Sequence, residues 1–316
     1  MPARICVFGG INIDFFATTG RMPLPGQTVV GDSFLETGGG KGANQAFATA
    51  RLGAQTHMIG AVGADSFGER LIADLGGVGV DTSGIVSIPE MHTGVALILL
   101  DADKQNYIVQ IPGANHSAGL GDITHSMEVL RNSDVLMLQR EVSQEISLKL
   151  AREAKKHGIT VVWDPAPAPS SVDDALLQLL RLADVVTPNE TEAEALTGIP
   201  VVDFASAEAA AARIIEMGAQ SVVITMGGQG GLLLEAGSQA PFTFQPLPVD
   251  VVDTVAAGDA FAAGLAVALA EGQSLTDSVK FGSVSGGLAV TSEGAMISMP
   301  TRDQVLRRLA EPEVRI

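Results

Sequence analysis

Apolar and polar residues follow one another along most of this chain in the order expected for strands that alternate with helices. Apolar runs at residues 134–138 and 159–163 predict buried strands, and the amphipathic stretch at 143–158 predicts a helix between them. Continuous apolar strands separated by helices indicate a parallel sheet that is covered on both faces. The same pattern predicts strands at residues 4–8, 56–62, 184–187 and 221–225, and helices near 42–53, 171–182, 206–217 and from Asn189.

Two segments, residues 11–37 and 93–111, carry strand-like patterns without an intervening helix. The second resembles a hairpin that turns around residues 101–104. We predict that both segments form a small β-flap beside the main sheet, and ordinary edge strands are the alternative. No linker or internal repeat divides the chain. This favours a single α/β domain over residues 1–316, although the length would also suit two smaller domains.

The charge balance narrows the choice of partners. The chain has 316 residues, of which 46% are apolar, and a net charge of −17 with a pI of about 4.5. So acidic a protein is poorly suited to nucleic acid or to an anionic membrane as its main partner. An anionic substrate is compatible with this charge if backbone N–H groups or a metal ion bind it locally.

The cysteine and hydropathy patterns indicate a reducing, cytoplasmic setting. Cys6 is the single cysteine, so neither a disulfide framework nor a CxxC metal site is expected, and no HExxH motif occurs. The N-terminal apolar run is short and meets Asp14, unlike that of a secretory signal. No apolar run reaches the roughly 18 residues that a membrane span needs.

Residues 38–46, GGGKGANQA, form a glycine turn that opens a predicted helix. The motif is not a P-loop, because Gly42 rather than Ser or Thr follows Lys41, and it lacks the last glycine of GxGxxG. Glycines at such a turn let the backbone approach a ligand closely, and Lys41 and Asn44 could bind its hydroxyl groups. The alternative is a tight turn with a solvated lysine.

Residues 226–231, MGGQGG, follow a predicted strand at the edge where open α/β sheets bind ligands. Thr225 adds a hydroxyl group at the end of that strand. Taken alone, the motif fits a flexible hairpin turn slightly better than a ligand site.

Asn189 and Glu192 lie three residues apart at the start of a predicted helix, directly after Pro188. Asparagine is a good N-cap, and this spacing resembles a capping box, which is the structural interpretation. The functional alternative is a site for hydrated Mg²⁺, which favours one or two carboxylates together with phosphate.

Residues 252–261, VDTVAAGDAF, open a strongly apolar helix. Free N–H groups at its start, with the positive end of the helix dipole, would form an anion hole for a transferred phosphoryl group. These groups belong to Ala256, Ala257 and Gly258. Asp259 would lie beside them as an acceptor for the proton of an attacking hydroxyl, and Asp253 could pair with a cation. The alternatives are a carboxylate that stabilises the helix dipole and a turn-forming aspartate.

Eight collinear motifs resemble those of the ribokinases, in the PfkB family of sugar kinases, over nearly the whole chain. They are GGINID (9–14), GGKGANQA (39–46), GAN (113–115), DPAPA (164–168), TPNETEAEALTG (187–198), ITMGGQG (224–230), VDTVAAGDAF (252–261) and GAMISMP (294–300). The resemblance implies a three-layer α/β/α fold with a mostly parallel central sheet. It also implies a small β-sheet lid formed by about 11–37 and 93–111.

The same resemblance implies ATP-dependent phosphorylation of the 5-hydroxyl of D-ribose, with Asp259 as the catalytic base. The sugar would be bound by Asn12, Asp14, Gly40, Lys41, Asn44, Glu141 and Asp259. ATP would lie along Asn189, Thr225, Gly227, Gly228, Gly230, Gly258 and Ser283. Mg²⁺ would be held through water by Asn189 and Glu192. A monovalent cation, usually K⁺, would be held mostly through backbone carbonyls at Asp253, Val255, Ala289, Ser292, Gly294 and Ser298.

Three positions depart from the usual family pattern. Ser283 stands where Asn or His commonly flanks the adenine, which leaves the nucleotide preference open. Asp164 replaces the first residue of the commoner NPAPA, and no role follows for it. Ala260 follows the expected base where Thr is frequent, with little expected consequence.

The resemblance further implies that the lid closes over the sugar and excludes water, and that two lids pack together in a homodimer. A kinase of this family for deoxyribose, fructose or a nucleoside is the nearest alternative. A non-catalytic sugar or nucleotide sensor on the same fold is a more distant one. Asn12, Asp14 and Glu141 favour ribose, whereas Lys41 and Asp259 argue against a sensor. No basic cluster indicates a phosphorylated sugar as substrate.

Overall fold

A computed structural model describes residues 2–102, 106–117 and 124–311 of the protein. The strands are β1 Arg4–Phe8, β2 Asn12–Thr18, β3 Ser33–Gly39, β4 Gln55–Gly63, β5 Asp81–Ile88, β6 Gly94–Leu100, β7 Asn106–Ile111, β8 Val135–Leu138, β9 Thr160–Trp163, β10 Val185–Val186, β11 Ser221–Thr225, β12 Gly231–Glu235 and β13 Phe242–Phe244. The helices are α1 Lys41–Arg51, α2 Ser66–Gly77, α3 Thr124–Arg131, α4 Gln144–Lys156, α5 Asp174–Leu182, α6 Glu190–Thr197, α7 Phe204–Glu216, α8 Ala257–Ala270, α9 Leu275–Ala289 and α10 Arg302–Leu309.

The larger sheet has nine strands in the order β13-β12-β11-β10-β9-β8-β1-β4-β5. The parallel strands, in spatial order, are β11, β10, β9, β8, β1, β4 and β5. Strands β12 and β13 add an antiparallel edge next to β11. The apolar strands separated by helices therefore form the mostly parallel sheet that the sequence predicts.

Helices cover both faces of this sheet. Successive residues of β1 point to opposite faces, so Ile5 and Val7 pack in one apolar cluster while Cys6 and Phe8 pack in the other. The first cluster includes residues of α1, α2, α8, α9 and α10, and the second includes residues of α3 to α7. These three layers confirm the predicted α/β/α fold.

A separate sheet of four strands lies in the order β3-β2-β6-β7. We call the side that carries Asp14 and Phe16 of β2 its inner face, and the side that carries Phe15 and Ala17 its outer face. The predicted flap is therefore a sheet of its own rather than an edge of the main sheet. Strands β6 and β7 form the predicted antiparallel hairpin, but residues 103–105 of its turn lie outside the described residues.

The predicted element ends agree with the structure within a few residues, but several elements were not predicted from the sequence. These are β5, β13, α2, α3, α9 and α10. Helix α9 shows the reason, since its glycines and serines disfavour a helix locally while its packing against α8 stabilises one. Within the described ranges, no helix has the length and hydropathy to cross a bilayer.

Candidate active site

The carboxyl ends of the parallel strands bring most predicted site residues to one edge of the larger sheet. Glu141 follows β8, Asp164 follows β9, Asn189 follows β10 and Thr225 ends β11. Helices α1 and α8 begin at the same edge, as the hydrogen bond between Asn44 and the first turn of α8 shows. Open α/β sheets bind ligands at this edge.

Asp259 lies in the first turn of α8 and is only 4% exposed. Its Oδ2 accepts a hydrogen bond from Asn44 Nδ2 at 2.8 Å, and its Oδ1 accepts one from Gln45 Nε2 at 3.1 Å. Burial raises the pKa of Asp259, while the Lys41 ammonium and the two amide donors oppose that rise. Its carboxylate is held in one orientation and keeps lone pairs that can accept a proton from a ligand hydroxyl.

Lys41 begins α1 and lies among four carboxylates. Burial alone would lower the pKa of Lys41, but the surrounding negative charges raise it overall. The carboxylates are those of Asp164, Asp259, Glu141 and Glu192. Lys41 is therefore a permanent cation in an otherwise acidic cleft, where it can bind a hydroxyl or phosphoryl oxygen.

Asn12 and Asp14 extend from β2 on the inner face of the small sheet, and both are buried. Asn12 Oδ1 accepts a hydrogen bond from Asn115 Nδ2 at 2.7 Å. Burial and the charges of Glu141 and Asp259 raise the pKa of Asp14 to about 7. Among the described residues, Asp14 Oδ1 and Asn44 Oδ1 are buried without a hydrogen-bond partner. These two acceptors therefore remain available to donors on a ligand.

Glu141 connects the main domain to the small sheet. Its Oε2 accepts a hydrogen bond from the Lys41 backbone N–H at 2.8 Å, and its Oε1 accepts one from Gln110 Nε2 at 2.7 Å. Gln110 belongs to β7, and in register it is aligned through Ala96 with Asp14 across the inner face. The small sheet thus contributes to the same cleft as the strand ends of the larger sheet.

The glycines of the 38–46 turn allow two backbone segments to pack directly against each other. Gly40 has a φ of 89°, and a Cβ there would lie 2.7 Å from the Asn12 nitrogen and the Gly10 oxygen. A Cβ on Gly42 would lie 2.5 Å from the carbonyl carbon of Gly9. Contact with residues 9–12 therefore requires these glycines, and this contact places Lys41 and Asn44 beside β2.

Helix α8 begins at Ala257, one residue later than its predicted first turn. Ala256 is its N-cap and adopts a left-handed conformation with a φ of 59°, which is uncommon for a residue with a side chain. The Ala257 N–H donates to the Thr254 carbonyl at 3.3 Å, so this donor is already engaged. The N–H groups of Ala256 and Gly258 have no acceptor within the described part of the chain. These two donors suit an anion.

Both structural interpretations of the nucleotide-side motifs are confirmed. Asn189 and Glu192 form a complete capping box at the start of α6, and residues 226–231 join β11 to β12 in a hairpin. The two motifs are nevertheless adjacent, because Asn189 pairs with Thr225. Gly227 and Gly228 lie in a 3-10 turn, and Gly230 follows it with a φ of 86°. Ser283 of α9 is buried, with its Oγ 3.5 Å from the Gln245 carbonyl oxygen.

Glu192 is the predicted metal-side carboxylate, and burial raises its pKa, which Lys41 opposes. Both of its oxygens accept hydrogen bonds from Asn189, at 2.9 and 3.0 Å. The carboxylate can still accept further donors, as water on a hydrated Mg²⁺ would supply. In the described residues no group of three or more His, Cys, Asp or Glu side chains could hold a metal directly.

The Asp253 carboxylate joins two loops. Its Oδ1 accepts a hydrogen bond from the Val255 N–H and its Oδ2 accepts one from the Gly294 N–H, both at 3.0 Å. The Ser292 N–H donates to the Ala289 carbonyl at 3.4 Å. Ser298 is buried in the next turn. The segments that carry Asp253, Val255, Ala289, Ser292 and Gly294 therefore meet, because the Asp253 N–H also donates to the Val290 carbonyl.

Sequence reasoning did not assign a role to four buried or half-buried amides of this cleft. They are Gln45, Gln110, Asn115 and Gln139. Gln45 follows Asn44 within the glycine motif, which is a signal that was available in the sequence. Gln110 is a polar residue in a strand of apolar neighbours, and only the pairing of the small sheet shows which way it points.

Comparison with known proteins agrees with this geometry. Residues 2–302 match the family model of the pfkB family carbohydrate kinases. A ribokinase of Haemophilus influenzae is 37% identical over 98% of this chain and 99% of its own. A deoxyribokinase of Salmonella typhi is 33% identical over 95% of this chain and 96% of its own. The solved structure of Arabidopsis thaliana ribokinase with ribose and ATP is 33% identical, has a TM-score of 0.90 and matches 98% of this chain and 100% of its own. This chain therefore belongs to the PfkB family of carbohydrate kinases.

Proposed function

We propose that this protein transfers the terminal phosphoryl group of ATP to the 5-hydroxyl of D-ribose, giving ribose 5-phosphate and ADP. Whole-length similarity to ribokinases, one of them solved with ribose and ATP, supports this substrate pair. The observation that carries the proposal is the pair of buried acceptors, Asp14 Oδ1 and Asn44 Oδ1, that lack donors beside Asp259. Sugar hydroxyl groups supply donors of this kind.

Asp259 would act as the general base. A sugar hydroxyl that lies against its carboxylate can transfer its proton to Asp259 as the oxygen attacks the terminal phosphorus, while the bond from that phosphorus to the bridging oxygen breaks and ADP leaves. Negative charge then remains on the phosphoryl oxygens, toward which the Lys41 ammonium and the free N–H groups of Ala256 and Gly258 can be directed. Asn44 and Gln45 keep the base in place throughout.

ATP would lie along the hairpin at residues 226–231 and the start of α6, where Asn189 and Thr225 are adjacent. Asn189 and Glu192 would hold Mg²⁺ through its water shell, which suits a carboxylate whose oxygens already accept two hydrogen bonds. The metal ion neutralises phosphate charge when it is bound. Ser283 would lie near the adenine, on α9.

A monovalent cation, K⁺ in our proposal, would stabilise the loops that Asp253 connects. The carboxylate holds the Val255 and Gly294 segments together, and carbonyl oxygens of these loops are the ligands such a cation prefers. Since α8 begins two residues after Val255, cation binding would stabilise the proposed anion hole.

The small sheet would close over the sugar as a lid, and its outer face would form a homodimer. This face exposes a contiguous apolar surface made of Phe34, Leu97, Leu99, Tyr107 and Val109, each between 39% and 67% exposed. Patches of this type mark protein interfaces more often than they face water. A second copy of the same sheet supplies a matching apolar surface with twofold symmetry.

Phosphorylation of deoxyribose is the second candidate function, because a deoxyribokinase matches the chain nearly as well as the ribokinases do. The two sugars differ by the 2-hydroxyl. A site built to hydrogen-bond this hydroxyl should discriminate strongly against the sugar that lacks it, because its buried polar partners would be left unpaired.

The test is a coupled assay of ADP release with MgATP. Ribose, deoxyribose, fructose and adenosine are offered in turn, each with and without K⁺. The proposal expects the highest kcat/KM for ribose and activation by K⁺. A higher value for deoxyribose would establish the second candidate, and no turnover of any sugar by folded protein would contradict both.

A further inference from the structure

Gln45 is completely buried and lies between two carboxylates. Its Nε2 is 3.1 Å from Asp259 Oδ1 and 3.0 Å from Asp164 Oδ2, and its Oε1 accepts a hydrogen bond from Gln139 Nε2. A primary amide carries two N–H groups, so one can point to each carboxylate. All the hydrogen-bonding capacity of the Gln45 amide nitrogen is therefore used inside this cluster.

Asp164 is itself fixed in place. It is 6% exposed, and its Oδ1 accepts a hydrogen bond from the Ala166 N–H at 3.1 Å. Burial raises the pKa of Asp164, and the Lys41 ammonium opposes that rise. Asp164 and Asp259 are linked through Gln45, because both carboxylates accept hydrogen bonds from its amide nitrogen.

The orientation of the Gln45 amide matters for the base. If the amide turned over, its oxygen would face Asp259 Oδ1 and Asp164 Oδ2, and three acceptors would lie together in a buried space. Both oxygens of Asp164 accept N–H donors, as an ionised carboxylate does, and the Lys41 ammonium favours that charge, so Asp164 opposes the turned-over state together with Asp259. The Asp164 carboxylate uses one oxygen for the Ala166 N–H and the other for Gln45 Nε2. An asparagine at 164 has a single side-chain oxygen, so it cannot offer a separate acceptor to each of these donors.

We propose that Gln45 is a positioning residue for Asp259, and that Asp164 acts through it by keeping the Gln45 amide nitrogen turned toward the base. The inference rests on the proposed role of Asp259 as the general base. It gives a function to Asp164, the position where this chain departs from the commoner asparagine. Neither side chain needs to touch the sugar or the nucleotide.

The test measures kcat and the ribose KM for Gln45→Met, Asp164→Asn and the double variant. Methionine keeps the length of the side chain without its amide. We expect Gln45→Met to lower kcat about 10-fold or more, which is part of the rate enhancement that a general base supplies. The ribose KM should stay within about threefold of the native value. Asp164→Asn should lower kcat by a few-fold and should add nothing in the Gln45→Met background, because residues that act through one another are not additive.

Two controls separate positioning from a general disturbance of the cleft. Thr49→Val removes another buried polar group of α1, one that contacts Ala46 and Thr56 rather than the base, and it should leave kcat unchanged. In an Asp259→Asn background, Gln45→Met should cause no further loss, since no base remains to be positioned.

The outcomes are distinct. Normal kcat in Gln45→Met, or an equal loss in the Asp259→Asn background, would overturn the positioning role. Additive losses for the two variants would overturn the link through Gln45. Near-normal activity of Asp259→Asn by itself would instead overturn the base assignment on which the proposed mechanism depends.

Discussion

At the scale of single residues, the main feature of this protein is a cluster of buried carboxylates. Burial raises the pKa of five of them, and Lys41 offsets that rise for all except Asp14. They are Asp14, Glu141, Asp164, Glu192 and Asp259, each at most 8% exposed. Such a cluster costs folding free energy, and proteins retain this kind of strain mostly at functional sites.

Asp14 makes this cost measurable. Its pKa rises from 3.8 to about 7 on folding, so the folded protein binds this proton more tightly than the unfolded chain does. The free energy of unfolding therefore falls as pH rises from about 4 to about 7, by up to about 1.4 kcal/mol for each pH unit. Asp14→Asn removes this dependence, so its stability advantage over the native protein should grow between about pH 4 and pH 7 and level off above that.

Urea unfolding at several pH values checks this expectation. Asp32→Asn, a change at an exposed acid next to β3, is the matched control and should show no such trend. Because Asp14 is a proposed sugar contact, we also expect Asp14→Asn to bind ribose more weakly, which calorimetry can measure. An advantage that stayed constant with pH would contradict the buried, protonated state of Asp14.

Asp259→Asn tests the base directly. The amide keeps the shape of the side chain but cannot accept the proton, so kcat should fall by about 10²-fold or more. Ribose binding should remain measurable by calorimetry, since the other sugar contacts are intact. Glu208→Gln, on the exposed side of α7, is the charge-matched control. Near-normal turnover of Asp259→Asn would refute the assignment.

At the scale of elements, the contact between α8 and α9 depends on glycines. A Cβ on Gly282 of α9 would lie 2.8 Å from the Phe261 carbonyl oxygen, and one on Gly264 of α8 would lie 2.4 Å from Ser285 Oγ. The two helices therefore approach each other closely. Helix α8 carries Asp259, the proposed base, and α9 carries Ser283, which we propose lies near the adenine, so this contact sets the distance between the proposed sugar and nucleotide sites.

Gly282→Ala should force the two helices apart. We expect a loss of about 1–3 kcal/mol of stability from overpacking, together with a lower kcat because Asp259 moves with α8. The control is Gly76→Ala in α2, where an added Cβ meets nothing within 4 Å. That change should instead stabilise the protein by about 0.5–1 kcal/mol, as alanine favours a helix. Thermal unfolding and kcat of both variants are the measurements.

The Asp253 loops carry the prediction about the cation. Asp253→Ala removes the acceptor that holds the Val255 and Gly294 segments, so the carbonyl ligands would no longer converge. The K⁺ concentration for half-maximal activation should rise about 10-fold or more. Asp250→Ala removes a nearby exposed acid and should leave that concentration unchanged. If both variants changed the half-maximal K⁺ concentration equally, the effect would come from the loss of one negative charge and not from the loss of the Asp253 hydrogen bonds.

At the scale of the whole molecule, the proposed dimer depends on the outer face of the small sheet. Val109→Lys places a charge at a site that is 60% exposed in the monomer, so the fold should tolerate it while the proposed dimer should not. Light scattering should give a dimer for the native protein and a monomer for the variant. Val202→Lys, at a remote site that is 72% exposed, should remain dimeric. A native protein that is monomeric would refute the proposal.

The local sequence was sufficient where a signal lies within one segment. The apolar runs predicted the parallel strands, and the glycine and small-residue motifs located Lys41, Asn44 and Asp259. It was insufficient where partners are distant in sequence. Asp164 meets Gln45 across 119 residues, and Asp259 meets Asn44 across 215. No local pattern encodes such pairs, because they form only when the strand ends converge on one edge.

By itself, then, the sequence determined the α/β architecture and the flap and named the candidate site residues, since periodicity, turn residues and collinear motifs are local properties. The tertiary structure alone decided which of these groups touch. In the folded protein the Ala257 N–H donates to the Thr254 carbonyl, so two of the three predicted anion-hole donors remain free. Gln110 donates to Glu141 across the cleft. The tertiary structure also left the Asp14 carboxylate with an unpaired oxygen. These contacts depend on packing between distant segments, which a single stretch of chain does not contain.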